Sequence, residues 1–270
     1  LINSWAVSPD GKRVVFGARG DVFTVPGKSG ITRNLTGSSG VHDRNVEWSP
    51  KGEFISFISD RTGEDEIYIQ NQNGMENAIQ LTFNSDTYKY NPIWSPDGKN
   101  LLWGDKMGNL SYINIDTKKV VLVDESDSWE VRDYNWSPDS KWIAYTLPQT
   151  FGVNRILIYD TKSSESKPVT DTWYNSGQPA FDSNGKYQSE LRQLHRPCAL
   201  YISPDDTIYV GELAAEMSVN KYMPNFGPRI TVIDKKGNKI ARLGKTDPLN
   251  INANDFAAPH SISADSEGNM

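Results

Sequence analysis

One short turn recurs along this chain at a nearly constant step, and that step is the strongest constraint on its fold. The sequence reads VSPDGK at Val7–Lys12, WSPKGE at Trp48–Glu53 and WSPDGK at Trp94–Lys99. It continues with WSPDSK at Trp136–Lys141 and FDSNGK at Phe181–Lys186. The third positions, Pro9, Pro50, Pro96, Pro138 and Ser183, lie 41, 46, 42 and 45 residues apart. A period of about 40–50 residues with several strands per unit is the signature of β-propeller blades.

Each unit has the same internal order. In the second, NVEWSP alternates and stops at Pro50, KGE turns, and FISFISD is rich in aromatic and β-branched residues. RTGED turns again, EIYIQNQ is a third strand, NG a turn and AIQLTF a fourth strand. Four short strands separated by Gly, Asp, Asn and Pro predict a β-meander, and no helical period competes with it. Trp48, Trp94 and Trp136 recur with the unit and are expected to pack between blades. Trp5, Trp129 and Trp173 stand apart from that rhythm and are candidate surface-binding aromatics for a peptide or carbohydrate.

Composition narrows the function. The chain of 270 residues has a formal net charge of −6, 37% hydrophobic and 23% charged residues. That balance fits a globular domain. It argues against a nucleic-acid surface, which carries basic patches. No apolar run is long enough for a membrane span. Cys198 is the single cysteine, so no internal disulfide forms. The opening LINSWAVSPDGK lacks the features of a signal peptide, and SISADSEGNM closes on a turn; both ends read as cuts.

The recurring blocks, with SDRTGEDEIYIQNQNG at Ser59–Gly74, resemble the tricorn-protease and TolB type of β-propeller over residues 1–187. The resemblance implies a non-catalytic propeller that binds or gates a peptide or protein ligand beside a serine-peptidase domain. It also implies a periplasmic, extracellular or cell-envelope setting. No Gly-x-Ser-x-Gly elbow occurs in the chain.

Beyond NGKYQSELRQLHRPC (Asn184–Cys198) the pattern changes. Pro204 follows Ser183 by only 21 residues, half a blade. PCALYISPDDTIYVGE (Pro197–Glu212) aligns with PHSISADSEGNM (Pro259–Met270). These segments resemble NHL-repeat propellers, among them the amidating lyases and gluconolactonase-like proteins. That resemblance implies a metal-dependent lyase or lactonase-type enzyme, with His260 as a zinc ligand and Cys198 at the matching place one blade earlier. On the residues alone, His260 is an inward histidine and Cys198 a small core residue. The only other histidines are His42 and His195. Two segments follow, 1–187 and 188–270, the second closing the same ring or belonging to a second propeller. A composite or engineered hybrid with no native function is the third reading.

Seven first strands, ending near residues 9, 50, 96, 138, 183, 204 and 266, predict an all-β propeller of four-stranded blades in six or seven positions, incomplete or hybrid at the seam. The acidic runs GEDE, DESD and PDD lack calcium-loop spacing, and PGKSG lacks the earlier glycine and following helix of a phosphate loop. No catalytic residue or bound cofactor is expected, zinc aside.

Overall fold

The computed structural model describes residues 2–149, 153–171, 176–182, 197–203, 205–212, 229–244 and 262. Among these residues every regular element is a β-strand, so no helix is long and apolar enough to cross a membrane. The chain divides into two compact units, Leu1–Pro179 and Ala180–Met270.

The first unit holds four blades, each an antiparallel meander. Blade 1 comprises β1 (Ile2–Val7), β2 (Arg13–Ala18), β3 (Asp21–Pro26) and β4 (Arg33–Asn34). Blade 2 comprises β5 (Arg44–Trp48), β6 (Phe54–Ser59), β7 (Glu66–Asn71) and β8 (Ile79–Gln80). Blade 3 comprises β9 (Ile93–Trp94), β10 (Asn100–Gly104), β11 (Asn109–Asn114) and β12 (Val120–Glu125). Blade 4 comprises β13 (Tyr134–Trp136), β14 (Trp142–Pro148), β15 (Asn154–Asp160) and β16 (Glu165–Pro168). The second unit holds a fifth meander of β17 (Pro197–Ile202), β18 (Ile208–Glu212), β19 (Arg229–Ile233) and β20 (Lys239–Leu243).

The recurring turn holds itself together. The Ser8 hydroxyl donates to Asp10 Oδ1 at 2.7 Å and accepts from the Arg13 N–H at 2.9 Å. Asp10 also accepts from the Lys12 N–H at 3.1 Å. Ser95 with Asp97 and Ser137 with Asp139 repeat the arrangement. Ser203 with Asp205 repeats it in the second unit, where Thr207 N–H donates to the serine hydroxyl. The hydrogen bond from Ser8, and then that from the Lys12 N–H, draw the Asp10 carboxyl down to about 2. Its contribution is complete above the ordinary carboxylate range and lost as pH falls through about 2.

The position two after the proline takes a positive φ in every described copy: Gly11 (68°), Gly52 (73°), Gly98 (74°), Ser140 (59°) and Asp206 (64°). Space does not demand glycine at Gly98, where an added Cβ would meet only Pro50 Cδ at 3.7 Å. The backbone does. Gly98→Ala is expected to cost about 1 kcal/mol, read as a shift in the urea midpoint. An unchanged midpoint would show that the left-handed conformation carries no penalty there.

Blades meet face to face through three apolar cores. Ala6, Val15 and Val22 of blade 1 meet Val46, Trp48, Ile55 and Phe57 of blade 2. Ile58, Ile67 and Ile69 of blade 2 meet Trp94, Leu101 and Trp103 of blade 3. Leu102 and Leu110 of blade 3 meet Trp136, Ile143 and Tyr145 of blade 4. The period-2 alternation explains this: residues one step apart turn to opposite neighbours, so both faces of an inner blade are buried. Trp48, Trp94 and Trp136, before the turns of blades 2 to 4, each sit in one of these cores, and Trp48 Nε1–H donates to the Ala6 carbonyl at 3.1 Å.

The expectation of six or seven positions is corrected. Five four-stranded sheets are present among the described residues. Five of the seven predicted first strands, those before Pro9, Pro50, Pro96, Pro138 and Pro204, open a complete meander. The turns near 183 and 266 lie outside the described residues.

Candidate functional site

In a meander, the first hairpin sits at one end of the sheet. The second hairpin and the link to the next blade sit at the other. That second end of blades 2 to 4 holds a network of long-range polar contacts.

The base of this end is buried and ionic. Arg61 donates to both oxygens of Asp43, at 2.9 and 3.0 Å, and Asp43 is fully buried. The Arg61 guanidinium also lies over the rings of Tyr68 at 4.7 Å and Phe57 at 5.3 Å. Arg44 pairs with Asp65 and donates to the Lys89 carbonyl at 3.2 Å. Lys89 is itself buried; its ammonium donates to the Asp65 carbonyl at 2.9 Å and to Ser85 Oγ, and lies 3.8 Å from Glu66. Burial lowers the Lys89 pKa, against the opposing pull of Glu66 and Asp65.

Above this base runs a strip of aromatic rings and guanidinium groups, exposed at Tyr88 and Arg132, half-buried at Tyr90 and backed by the buried Arg44. The Arg44 guanidinium stacks on Tyr88, 4.0 Å from the ring centre. Tyr88 meets Tyr90 edge-on at 5.3 Å. The Arg132 guanidinium lies 4.4 Å above Tyr90 and donates to its hydroxyl at 3.0 Å. That hydroxyl donates to Glu130 Oε1 at 3.1 Å. Burial, ahead of these contacts, raises the Tyr90 pKa. Glu130 Oε2 is buried and has no donor among the described residues.

The backbone ties the loops together. Lys106 N–H donates to the Tyr88 carbonyl at 2.9 Å, Ser126 N–H to the Gly108 carbonyl at 3.0 Å, and Trp129 N–H to Ser126 Oγ at 3.3 Å. Gly104 N–H donates to the Tyr134 hydroxyl at 3.1 Å, and any Cβ at Gly104 would collide with the Val131 carbonyl oxygen. Burial pushes the Tyr134 hydroxyl up to about 12. Three neighbouring loops, the link into blade 3, the second hairpin of blade 3 and the link into blade 4, therefore carry Tyr88, Met107 and Trp129, all exposed. Guanidinium-backed aromatic surface of this kind suits contact with peptide groups and apolar side chains.

Of the residues nominated by the sequence, Trp129 lies on this strip and is 68% exposed. Trp5 lies elsewhere, in the middle of β1, opposite Phe16 and 61% exposed. Trp173 and His260 lie outside the described residues, as does His195. Cys198 falls within β17, where the ladder skips from Pro197 to Ala199; its side chain is outside the described part. Among the described residues no group of three or more His, Cys, Asp or Glu is placed to hold a metal. Tyr88, Tyr90, Glu130 and Arg132 were missed. Their signal was aromatic–charge alternation in the links between blades, TYKY at Thr87–Tyr90 and WEVRDY at Trp129–Tyr134.

Comparison with known proteins adds a family. Residues 2–188 match the family model described as the tricorn protease second beta propeller domain. The chain is 25% identical over 219 residues to a tricorn protease homolog of Saccharolobus solfataricus, covering 81% of this chain and 19% of that protein. It is 32% identical over 145 residues to the uncharacterized peptidase YuxL of Bacillus subtilis, covering 52% of this chain and 20% of that protein. The chain thus spans about a fifth of the length of these curated relatives. Among solved structures, the tricorn protease superposes with a TM-score of 0.62 at 16% identity, over 86% of this chain and 21% of that one. TolB of Acinetobacter baumannii superposes with a TM-score of 0.54 at 16% identity, over 88% of this chain and 52% of that one. At these identities the superpositions speak to the fold alone.

Proposed function

This chain belongs to the tricorn protease second β-propeller domain family, and from that premise we propose that it is a non-catalytic propeller of a tricorn-like peptidase that binds peptide or protein at the loop end of blades 2 to 4. The observation that carries the reading is the strip of Tyr88, Tyr90, Trp129 and Arg132, in which Tyr88, Trp129 and Arg132 are exposed and Tyr90 is half-buried, above a buried ionic base. The base holds the loops in one arrangement, so a ligand meets a surface already organised, which reduces the ordering cost of binding. The rings supply contact area with few rotatable bonds.

The test is calorimetric titration of the intact chain with short unstructured peptides. Trp129→Ser is expected to weaken binding by about 2 kcal/mol, roughly thirtyfold, with an unchanged thermal midpoint because the side chain is exposed. Tyr88→Ser is expected to weaken it less, since its Arg44 backing remains. Equal affinity for the wild type and Trp129→Ser removes the strip as the binding surface.

A further inference from the structure

A sheet edge presents unpaired N–H and C=O groups, and folded proteins blunt such edges with short strands, charge and proline. Three of the four outer strands in the first unit obey this. β4 and β8 are two residues each, and β16 reads Glu-Ser-Lys-Pro.

The outer strand of blade 3 is longer. β12 is six residues long, reads Val-Val-Leu-Val-Asp-Glu, and pairs only with β11 among the described strands; its register shifts at Val123, so the regular apolar edge is Val120–Leu122. Val123 turns into the core shared with blade 4, while Val120 and Leu122 are 49% and 54% exposed. The Lys119 carbonyl accepts from Asn114 N–H at 3.1 Å, so the alternate residues Val120 and Leu122 aim their peptide groups at the open edge. Along that edge the described contact is local, from Glu125 N–H to Asp124 Oδ1 at 2.8 Å.

The surroundings match the edge. The outer strand of blade 2 is so short that Ile79 and Phe83 are exposed beside it. Lys118 links the two blades, its ammonium donating to the Gln80 carbonyl at 3.3 Å and lying 5.8 Å from the Phe83 ring centre. Lys118 and Lys119 precede the strand and Glu125 ends it, so the edge has a positive and a negative end.

We propose that β12 is a strand-addition site for an extended peptide. The peptide continues the antiparallel order of the sheet, places aliphatic side chains at alternate positions against Val120 and Leu122, and carries a basic residue near its N-terminus and an acidic one near its C-terminus. Main-chain hydrogen bonds supply the attraction and the alternate side chains the selectivity. Antiparallel pairing puts the peptide N-terminus at Glu125 and its C-terminus at Lys118–Lys119. This site lies on the outer strand, separate from the loop-end strip, and does not rest on the function proposed for that strip.

The probe is the labelled synthetic peptide KTVTVTD, titrated into the intact chain, with DTVTVTK as the charge-reversed control. The expected result is slowed amide exchange at Val120 and Leu122 and weaker binding of the control. Leu122→Lys is expected to weaken binding about tenfold with an unchanged thermal midpoint, because a charge on an edge opposes pairing while an exposed position tolerates it. Trp129→Ser leaves this binding intact. Unchanged exchange at both amides, equal binding by Leu122→Lys, or loss of binding in Trp129→Ser overturns the proposal. So does self-association that rises with concentration and disappears in Leu122→Lys, which would make a second copy the occupant.

Discussion

Replacing Arg229 with methionine is expected to cost the second unit about 4 kcal/mol of stability. Arg229 donates to both oxygens of Glu212, from Nε at 2.9 Å and from Nη2 at 2.8 Å, and Thr231 donates its hydroxyl to the same carboxylate. The Glu212 side chain is 0% exposed and that of Arg229 5% exposed. Removing the guanidinium takes away the opposite charge of a carboxylate that water does not reach. The pair itself adds little net stability, because desolvating two ions offsets most of their attraction. The double variant Glu212→Leu/Arg229→Met is therefore expected to recover most of the loss. All eight tryptophans precede residue 180, so indole fluorescence follows the first unit. The second unit is followed by amide exchange of β18 and β19 across a urea series. Equal protection in the wild type and Arg229→Met would mean that the ion pair is not what keeps Glu212 buried.

Glu47→Gln is expected to stabilise the first unit at neutral pH and leave it unchanged in mild acid. Glu47 lies on β5 opposite Ser56, two residues before the turn serine. The equivalent places in blades 1, 3 and 4 hold Ala6, Ile93 and Asn135, so blade 2 has an ionisable group where the others have none. Burial pushes it up to about 7, against a smaller downward pull from the Trp48 N–H. The unfolded chain releases this proton near 4.5 and the folded chain near 7. Between those values the folded state binds more protons, so stability is complete below about 4.5 and declines as pH rises through 7. The shift corresponds to about 3 kcal/mol at full ionisation. Glutamine keeps the shape and removes the titration. Urea midpoints measured at several pH values between 4.5 and 8 should diverge, the variant gaining as pH rises. Parallel profiles would mean that Glu47 titrates as it does in the unfolded chain.

Much of the blade was legible because its determinants are local. The turn at Ser8–Arg13 closes with partners at most five residues apart, and the same letters close it at Ser95 and Ser137. Strand faces follow from alternation, which assigns Ile55 and Phe57 to one neighbour and Ile58 to the other. Even in the second unit, where the grammar changes, SPDD at Ser203–Asp206 builds the same turn. The blade count was less legible: five of the seven counted turns open a sheet among the described residues, and those near 183 and 266 lie outside them.

The loop-end strip was legible only at Trp129. Arg44 meets Tyr88 and Lys89 from 44 and 45 positions away, and Arg132 meets Tyr90 across 42. No local pattern encodes those meetings; they arise when blades pack face to face and bring their connecting loops to one end. Glu47 shows the same division. Its letter is visible in the sequence, but its displaced proton affinity exists only once neighbouring sheets remove the water around it. The sequence by itself determined the repeating meander, because short-range hydrogen bonds and period-2 alternation act within each unit. Tertiary structure alone decided which polar groups meet and which are stripped of solvent, because both depend on side chains that share no segment of chain.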